Sequence, residues 1–338
     1  MQRVLLTGAA GFIGYHTTLQ LLEQGYTITG VDNLNDYYDP ALKIKRLKNL
    51  GTDREDALSG HISRSRKYPH YSFCKCDIAE QAALEKVFES GPFDLVINLA
   101  AQPGARFSVD HPYTYLHSNI TGFLNILEAC RHHKPKHLVY ASSSSVYGNN
   151  ADIPYAEDQK TDSPASLYGA SKKSNELMAY AYSHLYKIPC TALRFFTVYG
   201  PWGRPDMVYF KYTNAILNNE PIDVYNHGRL KRDYTYIDDI VKGIIDLVSM
   251  IPGGDVPHQV FNIGNSDPVE LLEFIETLEK VLEKKAIKNM LPMQQGDVMI
   301  TYADTDKLEQ YCGYKPYTSL EDGLRRFTEW YFNEYPEG

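Results

Sequence analysis

Cysteine is scarce in this chain of 338 residues. There are five, Cys74, Cys76, Cys130, Cys190 and Cys312, odd in number and scattered, which excludes a disulfide framework. Cys74 and Cys76 alternate onto one face of an expected strand. No His/Cys partner motif stands near them, so they read as core thiols rather than a metal pair. His132-His133 reads as a polar helix end, and no metal site is expected. Long apolar runs are also missing: the longest are strand-sized, so no segment is expected to span a bilayer. The chain enters Val4-Leu5-Leu6-Thr7-Gly8 without the charged and apolar regions of a secretory signal, and a cytoplasmic protein is expected. Positive charge is in deficit, with 34 Lys+Arg against 42 Asp+Glu and a net charge of -8. That argues against a nucleic-acid-binding face but leaves room for a locally positive pocket for a small anion. The basic stretch inside residues 51–69 (Arg64, Arg66, Lys67) lacks interleaved aromatics and reads as an exposed loop. Internal repeats and low-complexity linkers are absent.

What is present is an alternation. Short apolar runs at 2–7, 27–32, 71–77, 95–100, 137–142, 190–196 and 259–263 read as strands. Helical stretches fit between them at 14–24, 81–90, 114–132 and 168–186. This βαβα rhythm predicts an α/β fold, a doubly wound parallel sheet covered on both faces, with ligands outside the carboxyl ends of its strands. Gly8-Ala-Ala-Gly11-Phe12-Ile13-Gly14 stands between the first strand and the first helix. There, missing β-carbons let the backbone approach a pyrophosphate, and the helix N-terminus supplies N–H groups. Asp32, followed by Asn33, ends the second strand, where a carboxylate accepts ribose hydroxyls and repels a 2′-phosphate. No arginine stands at 33 or 34, so NAD is expected rather than NADP. Asp77-Ile78 is placed to meet the adenine, and Leu99-Ala100-Ala101 supplies small residues where the cofactor passes.

Tyr168 and Lys172, four residues apart, fall on one helix face one turn apart. An ammonium beside a phenol favours the phenolate, so the tyrosine is expected to act as a base below its reference pKa of about 10. Combined with the glycine run, the pair points to redox chemistry at a carbinol carbon.

These segments resemble the extended short-chain dehydrogenase/reductase family, in particular its nucleotide-sugar epimerases and dehydratases. The likeness also covers Ser142-Ser-Ser-Ser-Val-Tyr-Gly148, Arg194-Phe-Phe-Thr-Val-Tyr-Gly-Pro201 and Arg232-Asp-Tyr-Thr-Tyr-Ile-Asp-Asp239, and runs through essentially the whole chain. It implies a Rossmann-type NAD-binding domain over 1–198, with 232–265 returning to it. A smaller mixed α/β substrate lobe would comprise 199–231 and 266–338. It further implies Ser143 as the hydrogen-bond partner of the reacting hydroxyl, Tyr168 as the base, Lys172 as ribose anchor, and Asn119 behind the active site. A homodimer through a four-helix interface, built from the 114–132 and 168–186 helices, is implied as well.

Within that family, dehydratases carry Asp-Glu and decarboxylases Glu immediately before Val-Tyr-Gly, supplying the acid and base that elimination needs. Here those positions are Ser144 and Ser145, which favours epimerisation. The 30–47 segment, Phe196–Pro201, Arg204-Pro-Asp-Met207 and Gly296-Asp297 are similar to the UDP-glucuronate 4-epimerase group. The resemblance implies a UDP-sugar substrate, preferably a uronic acid. Its carboxylate would be held by Arg204 with Thr197, Ser144 and Ser145, and its diphosphate by Arg232. The uridine would be held by Asp297 and the Val224-Tyr225 strand. Gln294 stands where hexose epimerases of the family tend to carry arginine. A UDP-glucose or UDP-N-acetylhexosamine epimerase, a UDP-glucuronate decarboxylase and a non-catalytic dinucleotide sensor remain as alternatives.

Overall fold

A computed structural model describes residues 2–293 and 298–335. Thirteen strands are defined among them. In chain order these are β1 (Arg3–Thr7), β2 (Thr27–Asp32), β3 (Ser63–Arg64), β4 (Tyr71–Lys75), β5 (Leu95–Asn98), β6 (His137–Ser143) and β7 (Cys190–Phe195). They continue with β8 (Thr197–Tyr199), β9 (Pro221–Val224), β10 (Lys231–Tyr236), β11 (His258–Ile263), β12 (Pro268–Glu270) and β13 (Ile287–Met290). Eight build the main sheet in the order β11-β7-β6-β5-β1-β2-β4-β3. All pairings in it are parallel except β3 with β4.

Both faces of the sheet are buried, as a parallel sheet requires. Val4 and Leu6 of β1 face one apolar layer while Leu5 between them faces the other. Leu95 and Ile97 against Val96 in β5, and Val139 against Leu138 and Tyr140 in β6, repeat the alternation. The first layer is covered by the Phe12–Glu23 and Ile237–Val248 helices, the second by Gln81–Glu89, Gly122–His133 and Leu167–Tyr186. From β1 the chain adds β2 and β4 to one side, then crosses back to add β5, β6 and β7 to the other. Strand order therefore reverses between β1 and β5, and a crevice opens outside their carboxyl ends.

Residues 232–265, expected to return to the main sheet, divide between two sheets. Only β11 joins it; β10 lies in a three-stranded sheet between β8 and β12. A two-stranded β13-β9 sheet and the Val208–Leu217, Leu271–Leu282 and Leu320–Glu334 helices complete the smaller lobe. The 51–69 stretch, expected as a loop, contains a five-residue helix (Arg54–Leu58) and the edge strand β3. Arg66 pairs there with Asp53 and Asp56, so its charge is balanced locally. The single helix expected over 114–132 is three pieces, Pro112–Tyr115, a π-helical Leu116–Thr121 and Gly122–His133. Among the described residues, no helix is long and apolar enough to cross a membrane, and no cluster of three or more His, Cys, Asp or Glu could hold a metal.

Candidate active site

A cavity of ≈ 410 Å³ occupies the crevice. Its floor is the turn after β1. Gly8 sits at φ +73, where a Cβ would lie 2.8 Å from the Ala100 nitrogen, and a Cβ on Gly14 would collide with the Gly8 carbonyl. Only glycine lets strand, helix and the β5 end approach this closely. The Phe12–Glu23 helix begins at Gly11 with no side-chain cap and no acidic residue in its first turn, so its positive end is unopposed. Gly8, Gly11, Phe12, Ile13 and Gly14 all line the cavity.

Asp32, at the end of β2, accepts from the backbone N–H of Leu34 (2.8 Å) and of Ala10 (3.2 Å), with the Lys43 ammonium 3.7 Å away. A carboxylate has further lone pairs to offer two hydroxyls. Asn33 donates to Asp77 Oδ2 (2.9 Å), joining the ends of β2 and β4 beside Ile78. Leu99, Ala100 and Ala101 form the opposite wall. Asn119 lies behind it, buried, accepting from the Gln102 N–H (2.7 Å) and donating to the Gln102 carbonyl (3.1 Å) and Ser171 Oγ (3.0 Å). Acidic strand end, glycine turn and small-residue wall thus fit the adenosine ribose, diphosphate and nicotinamide of a dinucleotide in sequence along the crevice.

The second wall carries the expected chemistry. Ser143 ends β6 in extended conformation and its Oγ accepts from the Ser145 N–H (3.1 Å). Tyr168 and Lys172 lie on the first turns of the Leu167–Tyr186 helix, capped by Ser166, whose hydroxyl accepts from the Gly169 N–H (3.1 Å). The Lys172 ammonium does not turn to the phenol; it donates to the Ala141 carbonyl (2.9 Å). Burial pulls Lys172 down to about 8. The expected depression of Tyr168 is reversed: burial raises it, opposed by a hydrogen bond with Ser143 and the charge of Arg204. Spacing placed the two residues on one face; it did not reveal that the lysine head has its own carbonyl.

Deeper, Glu176 accepts from Ser142 Oγ (2.6 Å) and takes both forks of Arg194 (2.8 and 2.9 Å). Burial opposes its ionisation, but the Arg194 charge and hydrogen bonds hold it below the usual range. This ion pair fixes the β6 end from below.

Ser144, Ser145, Thr197, Arg204 and Met207 close the end of the cavity expected to take the sugar. The Arg204 side-on fork is already engaged by Asp206, Nε to Oδ1 at 2.9 Å and Nη2 to Oδ2 at 2.5 Å. Tyr37 donates to the same carboxylate (3.2 Å), its ring 5.8 Å from the guanidinium carbon. What Arg204 can still offer is the end-on fork of Nη1 and Nη2. Tyr37 and Lys43 also line the cavity and Asp206 holds Arg204, none of them given a role by the sequence reading. The signals were Asp206 two residues after Arg204 and the polar 33–39 loop.

Three expected substrate residues stand apart from the cavity. Val224 is wholly buried in β9, its side chain turned into the core by strand alternation, and its carbonyl accepts from the Leu291 N–H (3.0 Å). Tyr225 lies outside the cavity lining, under the Arg106 guanidinium at 5.1 Å. Arg232, also outside, donates to the Lys231 carbonyl (2.8 Å). Asp297 and Gln294 lie outside the described residues.

The family model "NAD dependent epimerase/dehydratase family" matches residues 4–264. Protein CapI of Staphylococcus aureus is 47% identical over 347 residues, spanning 98% of this chain and 99% of that one. UDP-glucuronate 4-epimerase 3 of Arabidopsis thaliana is 44% identical over 349 residues, spanning 99% of this chain and 77% of the relative. The crystal structure of UDP-glucuronic acid 4-epimerase from Bacillus cereus, in complex with UDP-glucuronic acid and NAD, superposes with a TM-score of 0.86. Its identity is 33%, covering 97% of this chain and 98% of that one.

Proposed function

The chain belongs to the NAD-dependent epimerase/dehydratase family, and from that premise we propose that it interconverts UDP-glucuronate and UDP-galacturonate at C4. The observation that carries the reading is the composition of the sugar end. Ser144 and Ser145 stand where elimination or decarboxylation would need carboxylic groups, and Arg204 shares one cavity with Tyr168. The relatives bearing the name UDP-glucuronate 4-epimerase support it across nearly the whole chain.

NAD, when bound, accepts and returns a hydride at C4. The turn of Gly8, Gly11, Phe12, Ile13 and Gly14 would receive its diphosphate, Asp32 and Asn33 the adenosine ribose, and Asp77 and Ile78 the adenine. Leu99, Ala100, Ala101 and, through Gln102, Asn119 would shape the nicotinamide wall, with Lys172 on the second ribose. Tyr168 takes the C4 hydroxyl proton at its phenolic oxygen, helped by the Ser143 hydroxyl, which bonds both partners. The resulting 4-keto sugar presents its other face, and Tyr168 returns the proton. That ketone is a β-keto acid, which loses CO₂ when the carboxylate bond aligns with the carbonyl π system. The Arg204 end-on fork, with Thr197, Ser144 and Ser145, holds the carboxylate out of that alignment. Arg232 takes the diphosphate of the sugar nucleotide, and Tyr225 and Asp297 its uridine.

Two coarser points belong to the same reading. The protein acts in the cytoplasm, in keeping with five unpaired cysteines. It forms a homodimer through the Gly122–His133 and Leu167–Tyr186 helices, whose outer faces expose Leu124, Leu177 and Tyr180.

Purified protein incubated with UDP-glucuronate and no added NAD is expected to yield UDP-galacturonate on chromatographic resolution. A UDP-pentose as the product would overturn the reading. So would turnover confined to UDP-glucose or UDP-N-acetylglucosamine once NAD is supplied. Thr197→Val and Arg204→Gln are each expected to weaken UDP-glucuronate binding by about tenfold, the loss of one charge-assisted or neutral hydrogen bond, and to raise the pentose by-product.

A further inference from the structure

The loop that ends in Arg204 is gripped from the cofactor side. Three successive carbonyls precede it, and each accepts from a side chain belonging to the first fifty residues. His16 Nε2 meets the Pro201 carbonyl at 2.9 Å. Arg46 donates to the Trp202 carbonyl from Nε (3.1 Å) and Nη2 (2.6 Å), and to the Gly203 carbonyl from Nη2 (3.1 Å). Its remaining nitrogen, Nη1, donates to the Ala10 carbonyl inside the glycine turn (2.8 Å) and to the Tyr38 hydroxyl (2.7 Å). One guanidinium therefore ties the turn that would take the cofactor diphosphate to the peptide that begins the Arg204 loop.

Two features say that this grip shapes the loop rather than merely filling space. Arg46 is fully buried, yet its five donated bonds go to neutral oxygens, and no carboxylate among the described residues pairs with it. A buried cation without a counter-charge is a poor stability device; rigid forked donation is what it offers that an apolar side chain does not. The loop it grips is strained: Trp202, not a glycine, sits at φ +59, a conformation that persists only where surrounding structure over-determines it. The Tyr15 ring packs on Trp202 at 5.6 Å, and the Tyr209 hydroxyl leaves no room for a side chain at Gly203. His16, pushed down to about 4 by burial, is neutral and can spend its one ring proton on the carbonyl.

We infer that Arg46 and His16 are positioning residues for sugar recognition: by clamping Pro201–Gly203 to the glycine turn they set where Arg204 stands against the sugar carboxylate. This rests on the reading of Arg204 as the uronate contact. The clamp acts through backbone, so loosening it displaces Arg204 while leaving the nucleotide end of the substrate site untouched.

Calorimetric titration of the NAD-containing protein with UDP-glucuronate, UDP-glucose and UDP separates the possibilities, with melting temperature and retained NAD recorded for every variant. Arg204→Gln serves as the reference and is expected to abolish the preference for the uronate over the hexose. Arg46→Lys, which keeps the charge but not the fork, and His16→Leu are each expected to reduce that preference by about tenfold with UDP affinity unchanged. His16→Gln, which keeps a donor, is expected to restore it. If Arg46→Lys fails to fold, His16→Leu and its rescue by His16→Gln carry the test. An unaltered preference in the clamp variants beside a lost one in Arg204→Gln overturns the positioning role alone. Uniform loss of all three ligands overturns it as well, leaving only a structural role. A preference that survives Arg204→Gln removes the underlying reading of the arginine, and the inference with it.

Discussion

At the scale of single residues, the lysine of the proposed catalytic pair is better described by where its ammonium rests than by its distance from the tyrosine in sequence. Lys172 lies buried on the Ala141 carbonyl and is pulled down to about 8 from 10.5. Between those two values the unfolded chain binds the proton more tightly than the folded one, so stability rises with pH across that window. Below about 8 the folded protein carries a buried ammonium, a penalty of roughly 3 kcal/mol at most from the size of the shift. Lys172→Met is therefore expected to unfold at higher urea than the parent at pH 7, although inactive. The gap should narrow as pH approaches 10. A constant gap across pH would show that Lys172 is not titrating as its burial implies. Tyr168→Phe removes the proton carrier and is expected to lower kcat about 10²–10⁴-fold, with the melting temperature little changed.

At the scale of elements, the π-helical turn Leu116–Thr121 shows how far a sequence can be read. The strand ends bearing Gly8, Asp32, Ala100 and Ser143 were legible because short apolar runs and glycines mark them directly. Apolar periodicity also located a helix over 114–132, but periodicity is blind to one extra residue in a turn. That turn carries Asn119, whose amide closes on both backbone groups of Gln102, one residue beyond the Ala100-Ala101 wall. The role of Asn119 was legible only through family likeness, since its partner lies 17 residues away. Asn119→Leu leaves the buried Gln102 N–H and carbonyl unpaired, and is expected to cost about 2 kcal/mol in urea unfolding. It should also loosen retained NAD, measured by absorbance after denaturation. Full NAD retention would show that the wall does not depend on this turn. Asp206 was legible only in part: its place two residues after Arg204 is local, but the bond it accepts from Tyr37 spans 169 residues and nothing nearby announces it.

At the scale of the whole molecule, the helices that frame the active site also turn apolar side chains outward. Leu177 is 60% exposed and Tyr180 52% on the Leu167–Tyr186 helix, and Leu116 47% and Leu124 39% on the neighbouring segment. The two segments are locked side by side by Tyr182, whose hydroxyl donates to Glu128 (2.5 Å), and by Arg131 stacked 4.3 Å over Tyr186. Their inner faces meet the sheet through Phe123, Ile126 and Ala179. In the dimer we propose, this two-helix face would pack on its own copy about a two-fold axis, the commonest symmetry of soluble homo-oligomers. Leu177 is the most exposed of these four side chains, so in the proposed dimer Leu177→Glu would bring carboxylates into the covered surface. Sedimentation equilibrium is expected to give twice the 38.5 kDa chain mass for the parent and a single chain mass for the variant. Because Tyr168 and Lys172 stand one to three turns away on the same helix, the separated chain should bind UDP unchanged but lose stability as the helix loses its cover. A parent that sediments as one chain, or a variant that stays paired, would move any association to a different face.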